Sequence, residues 1–402
     1  MRKTIPCAAW LFLISSFALP ATGIVWLPFV TAYNDSGQRL LRAFASNPGN
    51  IAFSPYSIGT AMAMLLSGAR GDNQTEMAKV LNLQIAAEDL NAANATALAN
   101  LNGASSSAFQ LRIANALFLT TANGAVSEGY VTTVRDQYAG EVFRGNDLAT
   151  VNDWVRQKTE GKIDSILDHL DPSAAAILLD AIYLKAAWQK PFVSAATRTL
   201  TFHLVDGETP TPMMYMRHEF ALAERPGYRA IRLPYANARF AMIVVLPDGN
   251  LTSDLSPFAS DEIPALLEAF GTPPRLVDLW LPRFHASFKT DLVSAFTAMG
   301  MHRAFDPQNA DFSGITGTPQ AQDPLVVDQI AHRAVIDVTE QGTEAAAATG
   351  IGIAAASAAR PQPVVKFTVD RPFLFAILDD ETGAILFEGR IVDPAEHPAI
   401  QH

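Results

Sequence analysis

Apolar positions recur with two different periods along this chain. In the first third they recur every three to four residues, as on one face of a helix. Tyr33 to Ala45 places Leu40, Leu41 and Phe44 on one face, and Asn47-Pro48-Gly49-Asn50 ends it. Ser54-Pro55-Tyr56-Ser57 opens an apolar helix from Ile58 to Ser67, closed by Gly68. Asn73, with Glu76 three residues on, has the form of a capping box for the next helix. Residues 84 to 106, rich in Ala, Asn and Ser, read as a weak helix or a loop. Val151 to Ile166 reads as a helix carrying Trp154, Val155 and Ile163, and Leu292 to Met299 as a short one.

Strand patterns dominate the second half. Ile51 to Phe53 and Ile113 to Thr120 are early strands. Ala176 to Leu184 is a continuous apolar run that periodicity alone leaves open, and Ile182 and Tyr183 favour a strand. Arg229 to Leu233, Phe240 to Leu246, Leu276 to Leu281, Val335 to Val338, Val364 to Val369, Phe373 to Asp379 and Ala384 to Ile391 follow. Pro247-Asp248-Gly249 and Asp379-Asp380-Glu381-Thr382-Gly383 supply turns. Helices early and strands late predict an α+β fold with largely antiparallel sheets. No linker-like stretch divides the chain, so one domain is expected from residue 24 to 402.

One stretch breaks both patterns. After the strand Val335 to Val338 come Glu340-Gln341-Gly342-Thr343 and a tract of small side chains reaching Ala359. Such a tract gives a helix no apolar face. It can lie exposed in one state and slide between two strands in another. Alternation from Thr343 would turn Thr343, Ala345, Ala347, Thr349, Ile351, Ile353 and Ala355 inward. Glu344, Ala346, Ala348, Gly350, Gly352 and Ala354 would then face outward. Both isoleucines fall inward and the charge outward, which a flexible Ala/Gly linker would not require.

Composition narrows the class. The 402 residues carry a formal net charge of −11, which argues against a nucleic-acid surface. Residues 1–23 have the form of a secretory signal: Arg2 and Lys3, an apolar stretch from Ala8 to Leu19 too short to span a bilayer, and Ala21-Thr22-Gly23 at the cut. Its removal would take away those two cations, moving the charge from −11 to −13, and also Cys7, the only cysteine. A secreted or extracytoplasmic protein, in the extracellular space or periplasm, is expected. Leu19-Pro20-Ala21-Thr22-Gly23 also matches a cell-wall sorting pattern, which works at a C-terminus. Glycosylation patterns begin at Asn34, Asn73, Asn94 and Asn250.

Other chemistry finds little support. Gly350-Ile351-Gly352-Ile353-Ala354-Ala355 fits a dinucleotide fingerprint, but four alanines and a threonine precede it where a strand is needed. There is no G-x-S-x-G elbow, and His218-Glu219 lacks the second histidine of a zinc motif. The eight histidines do not cluster at ligand spacing, so no metal and no cofactor are expected, and no enzyme activity.

Several segments resemble the serpin family. Phe367-Thr368-Val369-Asp370-Arg371-Pro372-Phe373-Leu374-Phe375-Ala376-Ile377 resembles its C-terminal signature. Asn50 to Leu81, with Ser54-Pro55 and Ser57-Ile58, resembles its second-helix block. Asn152-x-Trp154-Val155 with Thr159-x-Gly161-Lys162-Ile163 resembles its helix in front of the main sheet. Ala181-Ile182-Tyr183-Leu184-Lys185 with Trp188 and Phe192 resembles a further block. Together they span roughly residues 28 to 393, in order. The resemblance implies three β-sheets surrounded by helices, with an exposed reactive-centre loop near the C-terminus, about residues 340–363.

It also implies suicide inhibition of a serine protease. The protease cuts the loop and forms a covalent acyl complex, and the loop inserts into the main sheet. A monomer is expected. The hinge would be Glu340, Gly342, Thr343, Glu344 and Ala345, Ala346, Ala347 and Ala348; from Thr343 to Thr349 it holds none of the bulky, charged or proline residues that mark non-inhibitory members, except Glu344, which the family tolerates there and which faces out. A carrier, chaperone or mere substrate is the competing expectation. The family's spacing from Glu340 places the reactive bond at Ala356-Ser357, while counting back from Lys366-Phe367 gives Ala359-Arg360. Arg360-Pro361 would suit a trypsin-like enzyme, but proline after that bond hinders attack; Ala356-Ser357 is preferred, with an elastase-like or subtilisin-like target. Trp188 falls at the family's breach, where the sheet first opens. Its buried shutter would be Ser54, Ser57 and His332, with Asp180 where the family has asparagine. A carboxylate there would make a charged pair whose state follows pH, or simply a structural hydrogen bond. Gln84 to Gln110 holds no Lys or Arg, so no heparin site is expected.

Overall fold

The structure, a computed structural model, describes residues 27–120, 125–145, 147–171, 173–249, 262–319, 325–343 and 363–395. The signal-like residues 1–23 lie outside this set. So do the loop residues Glu344, Ala345, Ala346, Ala347, Ala348, Ala356 and Ser357.

The chain runs through α1 (Pro28–Ala43), β1 (Ile51–Phe53), α2 (Pro55–Gly68), α3 (Gly71–Val80), α4 (Ala87–Gly103), β2 (Phe109–Leu119), α5 (Glu128–Tyr138), β3 (Glu141–Arg144) and α6 (Leu148–Lys158). It continues with β4 (Ala176–Ala187), β5 (Arg198–Leu204), β6 (Gly207–Arg225), β7 (Tyr228–Pro234), β8 (Phe240–Pro247), α7 (Glu262–Ala269), β9 (Arg275–Pro282) and β10 (Phe284–Asp291). Last come α8 (Val293–Ala298), α9 (Ser313–Thr316), β11 (Val327–Thr339), β12 (Gly342–Thr343), β13 (Val365–Thr368), β14 (Phe373–Asp379) and β15 (Ile385–Ile391).

Six strands form one sheet in the order β10-β11-β12-β4-β2-β3. The other sheet follows β1-β15-β14-β8-β7-β6-β9-β13, with β5 added on β6. Strand β6 makes this second assembly two sheets in one. Its end Ala221–Arg225 pairs with β7, whereas Met213–Phe220 pairs with β9 and its first residues with β5. The expected three sheets are therefore present, two of them fused through β6.

The six-stranded sheet is buried on both faces. Leu178, Ile182, Leu184 and Ala186 of β4 enter the main core, where α2 lies, while Ile177, Leu179 and Ala181 meet Val151, Trp154 and Val155 of α6 on the other face. Double burial explains why β4 is an uninterrupted apolar run. Helix α2 is buried at every residue except Ser67 and starts cleanly, because Ser54 caps it and Pro55 occupies its first turn.

Several local expectations change. Residues 87–103 form a full helix, with Leu90, Ala97, Leu98 and Leu101 buried and Asn94 accepting from the Tyr33 hydroxyl at 3.0 Å. Helix α6 stops at Lys158, because Glu160 and Gly161 take positive φ; Ile163 still packs beneath it. Asn73 does not cap α3, which begins at Gly71. Its amide donates to the Asp311 carbonyl, and Glu76 accepts from the backbone N–H groups of His302 and Arg303. Asn34, Asn73 and Asn94 are buried, so these three glycosylation patterns sit on side chains that sugar cannot reach in the folded chain.

Candidate functional site: the end of strand β11 and the seam beside it

Strands β11 and β4 run parallel and are paired from Val327–Ala176 to Val335–Tyr183. There their ladder stops. Beyond it the chain turns at Glu340-Gln341 and comes back as β12, which lies between the two strands. Thr339 faces Gly342 and Val338 faces Thr343 on one side; Ala187 and Ala186 face the same two residues on the other. Gly342 and Thr343, which open the expected loop segment, are thus already a strand.

Each residue of this turn is held. The Glu340 carboxylate is almost fully buried and accepts from Arg283 Nε at 2.8 Å on both oxygens, from Arg283 Nη2 at 2.5 Å, and from the Thr197 hydroxyl. Burial opposes its ionisation, but the Arg283 and Thr197 bonds outweigh burial and hold the carboxyl below its ordinary range. The Glu340 carbonyl accepts from Phe192 N at 2.8 Å and the Gln341 carbonyl from Trp188 N at 3.0 Å. Trp188 Nε1 donates to the Thr339 carbonyl at 2.9 Å.

Gly342 sits at φ +152°, and a Cβ there would come within 2.0 Å of the Ala186 carbonyl oxygen, so only glycine fits. Thr343 is fully buried, its hydroxyl 2.6 Å from that of Tyr235, which stacks on Trp188 with ring centroids 4.7 Å apart. Its inward direction agrees with the alternation read from the sequence.

Lower in the seam, His332 of β11 and Asp180 of β4 are register partners. His332 Nδ1 lies 3.3 Å from Asp180 Oδ2, and both side chains are buried. Ser57, in the first turn of α2, donates to Asp180 Oδ1 at 2.5 Å. Ser54 does not reach the pair; its hydroxyl caps α2 by accepting from Ser57 N at 3.0 Å. Asn115 of β2 is the register partner of Asp180 on the other side, and neither of its buried amide atoms has a hydrogen-bond partner. Thr290 of β10 completes the row beside His332.

Sequence reasoning did not single out Arg283, Thr197, Tyr235 or Asn115. Arg283 follows the strand-ending Pro282, and nothing local marks it as the partner of Glu340.

Comparison with known proteins matches this architecture. The family model described as Serpin (serine protease inhibitor) matches residues 31–394. An uncharacterized serpin-like protein of Thermococcus kodakarensis is 34% identical over 377 residues, covering 92% of this chain and 86% of the relative. The leukocyte elastase inhibitor of Xenopus laevis is 32% identical, covering 87% and 94%. Among solved structures, the thermophilic serpin tengpin in its native state superposes with a TM-score of 0.83 at 27% identity, covering 91% of this chain and 94% of that one. Human thyroxine-binding globulin complexed with thyroxine gives 0.79 at 27% identity, covering 92% of this chain and 99% of that one. The chain belongs to the serpin family.

Proposed function

We propose that this protein is a suicide-substrate inhibitor of serine proteases and not itself an enzyme. The observation that carries the reading is β12, a strand begun between β11 and β4 by the residues that open the loop.

Continuing that register is self-consistent on both sides. Thr349 would meet Asp180 on β4 and His332 on β11, which are already partners of one another. From Val335–Tyr183 down to Gln329–Ile177 the two strands therefore need only part sideways, with no slip; the ladder shifts register below, between Gln329 and Val327. In the same register Glu344 would lie beside Lys185. Ala348, Gly350 and Gly352 would face α6, where small side chains fit under Val151, Trp154 and Val155. Ile351 would enter the core between Leu178 and Ile330.

In the reaction, the hydroxyl of the protease serine attacks the carbonyl carbon of Ala356. The C–N bond to Ser357 breaks, the amine leaves protonated, and the Ala356 carbonyl stays esterified to the protease. Insertion of residues 344 onward then carries the bound protease across the sheet. The driving force is the difference between a strand left out and a strand paired on both edges. A small residue before the bond suits an elastase-like or subtilisin-like target, and one relative is named for leukocyte elastase. Residues 1–23 would direct secretion, and the inhibitor would act as an extracytoplasmic monomer.

A carrier role, as the name of the thyroxine-binding relative indicates for that protein, is the alternative. The hinge composition favours inhibition. Mature protein incubated with elastase, subtilisin or trypsin and read by denaturing gel and intact mass separates the two. A denaturation-resistant complex is expected, with release of a fragment beginning at Ser357. Complete cleavage without complex by all three would contradict the reading.

A further inference from the structure

We propose that the Asp180–His332 pair is a charge latch that makes parting of β11 from β4 pH-dependent, slow while the imidazole is charged and faster once it is neutral. This rests on the insertion reading above.

The placement is the first reason. The pair spans the seam itself, joining the two strands whose ladder ends at Val335 and Tyr183. A strand inserted there would move the two from neighbouring positions, about 4.8 Å apart in the sheet, to twice that spacing. The separation would occur in the core, where a broken ion pair leaves an uncompensated charge.

The two partners differ in what they keep. Asp180 accepts from Ser57 at the positive end of α2, so it retains a partner on its own side. Neither His332 nitrogen has a hydrogen-bond partner apart from the ionic contact with Asp180. While β11 moves away, and before Thr349 takes its place between the strands, the histidine is the group without a partner, so its charge sets the barrier to opening.

Among the described residues, β1 and α8, which also pack on β11, contain no charged residue. Helix α2 contains no charged residue, β2 presents Asn115, and β10 presents Thr290. Lys289 and Arg333 alternate to the opposite face, where they bind Asp168 and Ser165. Two other buried carboxylates lie by α2 and both are bound elsewhere, Glu388 of β15 by Gln38 and Asp379 of β14 by Arg239. Histidine is the side chain whose ordinary titration lies between about pH 5 and 8.

The test is the rate at which a capped synthetic peptide of sequence Thr343 to Ala356 inserts into intact, uncleaved protein. Native gels at pH 5.5 to 8 would report it, so no protease titrates in the assay. Wild type is expected to accept the peptide about tenfold more slowly at pH 5.5 than at pH 8. Asp180→Asn and His332→Gln should each flatten the profile to less than about twofold. Wild type with a flat profile, or variants that keep the wild-type slope, would overturn the latch while leaving insertion intact. A peptide that never inserts, at any pH, would overturn the insertion reading and the latch together. Should either variant fail to fold, the wild-type profile and the other variant still decide.

Discussion

The two ends of the same seam are built in opposite ways. At the top, around Glu340 to Thr343, the chain is pinned by a two-oxygen arginine contact, by two backbone N–H groups and by the Trp188 indole. In the middle, Asp180 Oδ2, both His332 nitrogens and both amide atoms of Asn115 lack hydrogen-bond partners in a fully buried row. Buried polar atoms without partners cost free energy. The top is therefore a fixed starting point, and the middle is a closed but poorly satisfied interface. The proposed insertion needs this distribution. The first pair of an added strand must be placed in register, and the rows below must be able to give way.

The comparison breaks most severely at Gly342. Gly342→Val would drive a side chain into the Ala186 carbonyl, so β12 could not seat. A loss of about 2–4 kcal/mol in urea unfolding is expected, with loss of stable protease complexes. An unchanged midpoint would mean that β12 contributes nothing to the hinge.

Glu340→Lys would put two cations together beside Thr197. Arg283 is about half exposed, which screens the pair. The expected cost is about 1–2 kcal/mol, together with faster peptide insertion into the uncut protein, because the top of the seam is released. Insertion at the wild-type rate would sink the view of this contact as a hinge clamp. Trp188→Phe keeps the stacking on Tyr235 but loses the donor to the Thr339 carbonyl. About 1 kcal/mol is expected, with the same sign on the insertion rate.

A control lies outside the seam. Burial pushes the Glu388 carboxyl up to about 8, against the Gln38 hydrogen bond and the Arg42 charge, which lower it. The unfolded chain ionises this group near its ordinary value, so the folded state binds the extra proton between the two values. Its contribution to stability is present below about pH 4.5, is lost as pH climbs toward about 8, and is flat beyond. Unfolding of Glu388→Gln between pH 5 and 9 should lack that slope. Equal slopes in variant and wild type would contradict the assignment. Peptide insertion should not follow this titration, which separates it from the seam.

Much of this was legible in the chain. The late strands, the capped start of α2, and the sharp change to Glu340-Gln341-Gly342-Thr343 are local patterns, and local patterns survive in sequence. The hairpin of β5 and β6 was not read, although Asp206-Gly207 marks its turn, because Pro210 and Pro212 interrupt the alternation. Alanine and asparagine give α4 a shallow apolar face, so its sequence does not decide between helix and loop, and its burial comes from neighbours such as Tyr33. Arg283 and Tyr235 reach the hinge from 57 and 108 residues away, a tertiary placement that no spacing rule encodes. In the sequence only the family resemblance groups Asp180 with His332. Asn115, which extends their row, emerges only from the strand register.

Insertion into the β11–β4 seam is the central claim, and thermal unfolding before and after a single cut in the loop tests it most directly. If the cut loop becomes a paired strand, both fragments should stay associated and the midpoint should rise by at least about 10 °C. A cut protein that unfolds at the same temperature as the intact chain, or lower, would contradict the account.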